Sequence, residues 1–239
     1  MKKSQAVLGA LIGLGLAGLF PQEASASGLE LRIGGMLPRA KSVLFDDSVT
    51  LYQVEKDDFA GAFGGVEFTK GVGSNVELAF AIEGYGREIP TSYREFARPS
   101  GREIEQTLRF VVVPTSAIVR LIPSGRYRTF TPYAGIGVAA MFWQYEEFGD
   151  FIDFDARGLP VVADSFKSTG VTPGLVLNAG LRYRINEDFQ ITADVRNFSG
   201  KQKMSGDFAP NAFDAGNTPQ VVLTAAKPFI VQSITVINA

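Results

Sequence analysis

Residues 170–184, GVTPGLVLNAGLRYR, place Val171, Leu175, Leu177, Leu181 and Tyr183 on one parity and Thr172, Gly174, Asn178, Gly180, Arg182 and Arg184 on the other. A period of two marks a β-strand, whose successive side chains point to opposite faces. The two arginines need water or carboxylates, and the large apolar side chains opposite need lipid or a core. Residues 189–196, FQITADVR, repeat the division, with Phe189, Ile191, Ala193 and Val195 opposite Gln190, Thr192, Asp194 and Arg196. The polar Asn186-Glu187-Asp188 between them predicts a short hairpin turn.

The pattern extends through the chain. Val76, Leu78, Phe80 and Ile82 share a parity against Glu77 and Glu83, and Ala60, Ala62, Val66 and Phe68 oppose Gly61, Gly65, Glu67 and Thr69. Eight strands are predicted, near 29–37, 59–69, 74–86, 106–121, 127–145, 169–185, 188–198 and 226–237. Their connections alternate between long ones (38–58, 87–105, 146–168, 199–225) and short ones (70–73, 123–126, 186–187). No stretch after the head of the chain is long and apolar enough for a membrane-crossing helix. In hydrocarbon the other way to satisfy every backbone group is a closed barrel, and brief inner turns alternating with longer outer loops are its rhythm.

Two segments complicate the pattern. Leu108, Phe110 and Val112 favour one parity, but after Pro114 the apolar Ala117, Val119 and Leu121 favour the other. Because proline cannot donate to a ladder and an extra residue reverses facing, a bulge near Pro114-Thr115 is predicted, with two short strands as the other solution. Tyr127, Tyr133, Trp143 and Tyr145 share a parity, which fits either aromatic girdles at both membrane boundaries or ordinary cross-strand packing. The final strand is apolar on both parities, so its facing stays open.

The head of the chain, with Lys2 and Lys3, the apolar run Ala6 to Phe20 and the small residues Ala24 and Ala26, reads as a cleavable signal peptide over 1–26. The run is shorter than the roughly 20 residues of a membrane-crossing helix, which disfavours an uncleaved anchor. Residues 27–239 then form a single unit. The net charge is −2, which does not suit nucleic-acid binding. The sequence has no cysteine and no histidine, removing disulfides, the usual zinc ligands and the usual base for a nucleophilic serine. No catalytic, cofactor-binding or metal-ligating residue is therefore assigned, Ser165, Ser168 and Ser199 read as loop or strand-end residues, and the chain is not expected to be an enzyme. The acidic residues Asp46, Asp47, Glu55, Asp57, Asp58, Glu146, Glu147, Asp150, Asp153 and Asp155 offer oxygen ligands for hard cations but lack EF-hand spacing.

The inward polar set predicted for the barrel is Arg32, Glu67, Glu77, Glu83, Arg109, Arg120, Arg182, Arg184, Asp194 and Arg196. In so narrow a lumen, opposite charges can neutralise and hydrogen-bond one another.

Glu30-Leu31-Arg32-Ile33-Gly34-Gly35, Thr131-Pro132-Tyr133-Ala134-Gly135-Ile136-Gly137-Val138 and Asn178-Ala179-Gly180-Leu181-Arg182-Tyr183 resemble the small outer-membrane β-barrel proteins of Gram-negative bacteria, a group including the OmpX-like, OmpW-like and OmpA-barrel types. The resemblance covers residues 29–239. It implies an all-β fold, an eight-stranded antiparallel transmembrane up-and-down β-barrel in the cell outer membrane. Outer-membrane lipid, lipopolysaccharide and the outer-membrane assembly machinery would be its partners, with a monomer as the simplest working form. The chain ends Ile237-Asn238-Ala239, departing from the aromatic terminus common in the group. Two roles stay open: a structural or surface-interaction barrel, and a channel for small molecules, apolar ones included, with a break at Pro114 as a hint of a sideways exit.

Overall fold

The structure is a computed structural model that describes residues 27–38, 43–154, 156–186, 189–203, 220–224 and 231–238. The signal-peptide segment, Asp155, the Glu187-Asp188 turn and most of 204–230 lie outside the described residues.

The strands are β1 (Ser27–Met36), β2 (Gly61–Gly71), β3 (Val76–Ala97), β4 (Glu103–Leu121), β5 (Phe130–Ile152), β6 (Val161–Arg184), β7 (Phe189–Lys203), β8 (Gln220–Thr224) and β9 (Val231–Asn238). One helix, α1 (Val43–Leu51), and a 3-10 turn (Lys56–Phe59) interrupt the connection between β1 and β2. The strands form one antiparallel sheet in the order β6-β5-β4-β3-β2-β1-β9-β7-β8, with β6 also paired to β7. We call the end with the short turns the lower end and the opposite one the upper end. Tight turning at the lower end uses glycines in the left-handed region, Gly73 (φ 80°) between β2 and β3 and Gly125 (φ 74°) between β4 and β5.

One face of the sheet is buried and the other exposed, with the parities expected for β2, β3, β6 and β7. On the exposed face Leu31, Ile33, Ile136, Val138, Leu175 and Leu177 are all more than half exposed, an arrangement suited to lipid. On β5 this apolar band runs from Phe130 to Phe142, and Phe142 pairs with Val171, the band's last apolar residue on β6. Twelve steps of 3.3 Å give about 40 Å along the strand, or about 28 Å across at a tilt of about 45°, close to the ~25 Å apolar band of outer-membrane barrels. Above it the outer face turns polar: Arg109 ion-pairs with Glu88 (2.7 Å) and Glu146 (3.0 Å).

Several strands are longer than the alternation alone indicated. β5 and β6 pair without interruption from Phe130↔Tyr183 to Ile152↔Val161, so residues expected in the 146–168 loop are mostly strand. The 87–105 segment is likewise mostly β3 and β4. In the last two strands, β8 lies where a loop was expected and pairs with the upper part of β7, and β9 pairs with its lower part.

The bulge predicted at Pro114-Thr115 is absent. β4 holds one register against β5 from Gln106↔Gly149 to Leu121↔Ala134, and Leu108, Phe110, Val112, Ser116, Ile118 and Arg120 are all buried on one face. The parity seemed to switch because the buried face is itself apolar in its upper half and polar below. Proline leaves a different trace. The β3–β4 pairing lapses between Ile82↔Thr115 and Tyr85↔Val112, where Pro114 brings no N–H, and resumes in the same register.

The girdle reading is also corrected for three of its four residues. Tyr133, Trp143 and Tyr145 are buried on the inner face, and only Tyr127, below β5, is exposed. The aromatics at the lower lipid boundary are Phe130 and Tyr183, in edge-to-face contact at 5.7 Å, with Phe189.

Candidate functional site

The buried face carries two distinct fillings. The lower one is ionic. From β1, Arg32 donates to Glu83 of β3 (2.8 Å) and to Glu30 (2.8 Å), and it ion-pairs with Asp194 of β7. From β4, Arg120 donates to Glu67 of β2 (2.8 Å), Glu77 of β3 (3.1 Å) and the Asn178 side-chain oxygen of β6 (3.3 Å). From β6, Arg182 grips both Glu77 oxygens at 2.6 and 2.7 Å, the fork geometry that makes arginine–carboxylate pairs strong. From β7, Arg196 reaches Glu83 (2.7 Å) and Glu67. The Arg120 and Arg182 guanidiniums both lie over the Tyr133 ring, at 4.8 and 4.7 Å, while its hydroxyl donates to Asp194 (3.1 Å).

Eight of the ten predicted inward residues meet here. Arg109 does not: it points outward above the apolar band, because without a bulge it stands on the opposite face from Arg120. Arg184 also stays out, half-buried at the lower end, where it donates to the Arg126 carbonyl oxygen (2.9 Å). Three further members stand outside that set: Glu30, Tyr133, and Asn178, which shares the polar parity of Arg182. Glu30 shares the parity of Arg32 in Glu30-Leu31-Arg32, a signal available in the sequence.

The upper filling is aromatic, and a connecting segment supplies half of it. In α1 and the residue beyond it, Phe45, Ser48 and Tyr52 are buried at spacings i, i+3 and i+7, one helical face. Phe45 meets Phe59 (4.8 Å) and Phe110 of β4 (5.9 Å) edge to face, and Phe110 meets Tyr85 and Tyr145. Tyr52 stacks edge to face with Tyr93 of β3 (5.2 Å), Gln53 N–H donates to the Ser92 carbonyl oxygen (2.8 Å), and the Arg94 guanidinium donates to the Tyr52 carbonyl oxygen (3.0 Å). The segment is thus stitched to the wall as well as packed within it. Between the two fillings, Met141, Trp143, Val176 and Phe198 continue the packing, with the Trp143 indole N–H donating to Thr172 (2.9 Å).

Glu147 of β5 sits beneath this segment, 1% exposed, accepting hydrogen bonds from the Tyr52 (3.0 Å) and Tyr145 (2.7 Å) hydroxyls. Burial pushes its carboxyl up to about 7.

Five of the other acidic residues of the upper end have partners of their own. Asp46 pairs with Lys56, Asp150 with Arg98 and Glu146 with Arg109, while Asp58 accepts from the Glu55 N–H and Asp153 from the Ala156 N–H. Among the described residues no three of them converge as a cation site would need.

A family model described as "Outer membrane protein beta-barrel domain" matches residues 12–218. No curated protein matches the sequence. Among solved structures, the outer membrane protein OprG from Pseudomonas aeruginosa is similar at a TM-score of 0.54 with 14% identity, covering 90% of this chain and 97% of OprG, a likeness that shows the fold alone. A major outer membrane protein from Thermus thermophilus gives 0.48 and 11%, covering 89% of this chain and 100% of that one. With an exposed apolar band of membrane height and a match over most of its length, the chain belongs to the outer-membrane β-barrel family, and its place is the outer membrane.

Proposed function

We propose that the chain is a closed, eight-stranded, up-and-down barrel whose interior is sealed, and that its role is structural and surface-directed. The pairing of β9 with both β1 and β7 supports closure, with β8 and β9 as two parts of the eighth strand. In this reading residues 1–26 are removed on export and residues 27–239 are inserted as a monomer by the outer-membrane assembly machinery. The short turns face the periplasm, and the four outer connections meet lipopolysaccharide and the surroundings. The carrying observation is the double filling: an ionic network from six strands below and the α1 segment above leave the lumen to protein side chains.

The test is conductance of the refolded 27–239 protein in a planar bilayer, once heat-modifiable migration confirms the barrel. The expected result is a folded protein without reproducible, saturable ion or solute passage; such passage would overturn the sealed reading. The alternative is a channel for small, including apolar, molecules with a sideways exit, favoured by the lapse in β3–β4 pairing opposite Pro114. Uptake of an apolar solute by vesicles carrying the protein, abolished by Pro114→Val, would establish that route, and uptake no faster than in empty vesicles would exclude it.

A further inference from the structure

We propose that Glu147 is a proton-operated latch, holding the α1 segment down in the upper mouth when protonated and loosening it when ionised. This goes beyond the sealed-barrel reading and does not depend on it.

The latch joins two parts that can separate. Glu147 belongs to β5, above the apolar band, while one of its two hydrogen-bond donors, Tyr52, belongs to the connecting segment. That segment sits in the mouth through Phe45, Ser48, Tyr52, Val54 and Phe59, each no more than 1% exposed. Lifting it would hydrate Glu147.

The charge around the carboxyl is one-sided. The α1 segment faces it with Tyr52, and with Ser48 through the Tyr145 hydroxyl (3.3 Å). β5 contributes Tyr145, and β3 contributes Tyr93, whose hydroxyl accepts from the Ile152 N–H (3.4 Å). β4 places Leu108 opposite it in register, with Gln106 next along the buried face, and β6 places Phe166 opposite. The nearby cations are otherwise engaged or turned out: Arg109 serves Glu88 and Glu146 on the outer face, Arg94 caps the Val49 and Tyr52 carbonyl oxygens, and Lys167 is exposed. Among the described residues no lysine or arginine forms an ion pair with Glu147, so ionisation leaves a buried, uncompensated charge. Tyrosines cannot supply the missing positive charge, and burial holds Tyr52, Tyr93 and Tyr145 themselves protonated.

The sign follows from linkage. With the segment docked the carboxyl titrates at about 7, against its ordinary 4.5 once hydrated. Docking is therefore strongest below pH 4.5, weakens as pH rises toward 7 and levels off above it. The difference limits the loosening to about 300-fold.

Amide hydrogen exchange of residues 45–54 in the refolded 27–239 protein, corrected for intrinsic exchange rates between pH 5 and 8.5, reads the docked population directly. In the wild type, protection is expected to fall steadily from pH 5 toward pH 7, by between 10-fold and about 75-fold over the range, and to level off just above pH 7. Glu147→Gln should flatten the profile. Tyr145→Phe, which removes one donor to the carboxylate, should move the pH at which the fall levels off upward, whereas a merely structural loss would lower protection equally at every pH. A flat wild-type profile, or a transition that survives in E147Q, overturns the proposal. Should E147Q not fold, the direction of the Y145F shift decides it: an unmoved levelling-off pH overturns the latch.

Discussion

Arg120→Ala is expected to cost about 3–5 kcal/mol, the range for breaking a buried ion-pair network by removing one partner. Its guanidinium is fully buried, serves Glu67, Glu77 and Asn178, and stacks on Tyr133, so alanine deletes the charge, the hydrogen bonds and the stack together. The local charge count makes an arginine the more costly loss. The described network holds the carboxylates Glu30, Glu67, Glu77, Glu83 and Asp194 against the guanidiniums of Arg32, Arg120, Arg182 and Arg196. Removing Arg120 deepens that acidic excess, whereas Glu67→Gln reduces it while keeping an acceptor oxygen, and should cost about 1–3 kcal/mol. Arg120→Ala combined with Glu67→Gln should cost less than the sum of the singles, because the pair sheds opposite charges. Urea unfolding in detergent, followed by heat-modifiable mobility, ranks the variants. Equal losses for R120A and E67Q would show that packing, not charge, governs this layer.

The lower half of the interior was legible because its chemistry alternates. In 170–184 and 189–196 polar and apolar residues take turns, so parity alone assigns Asn178, Arg182, Asp194 and Arg196 to the buried face. The upper half was not legible by the same rule. Leu108, Phe110 and Val112 look lipid-facing only if the interior is assumed polar, yet they are buried against an aromatic filling. That assumption produced both the bulge at Pro114 and the inward placement of Arg109. Tyr133, Trp143 and Tyr145 were ambiguous for a related reason: a ring suits a membrane boundary and a packed lumen equally well, and local sequence does not say which. The missing information lay in the connection between β1 and β2. A loop containing Phe45, Leu51, Tyr52, Val54 and Phe59 has too much apolar surface to stay in water, and the mouth it fills is built by strands far away in sequence. Glu147 was noticed only as an acidic loop residue, and its burial follows from where that segment docks.

Gly137→Ala is expected to destabilise the protein by about 3 kcal/mol, at the upper end for overpacking, or to prevent assembly. Gly137 is on the same parity as Tyr133 and Met141, on the inner side of β5, and it pairs with Ile118 of β4. A Cβ built there would lie 2.0 Å from the Ala117 carbonyl oxygen and 2.7 Å from the Ile118 Cα. Both obstacles are backbone, so no rotamer change relieves them, and the β4–β5 ladder must open by more than an ångström at the level where Arg120 is positioned. Gly180→Ala tests a softer obstacle. Its Cβ would press on the end of the Tyr133 ring (2.5 Å), which can shift, and on the Asp194 Cβ (2.6 Å), which moves only with its backbone, so the loss should be about 2 kcal/mol. Gly84→Ala is the control: its nearest neighbour would be 3.9 Å away, so a change within about 0.5 kcal/mol is expected. The three glycines share a chemistry and differ in what stands opposite the missing side chain, so an order of G137A, then G180A, then G84A in urea midpoint would show that contact between adjacent strands, rather than glycine's backbone freedom, requires the first two. Equal losses at Gly84 and Gly137 would point instead to a general cost of side chains in these strands.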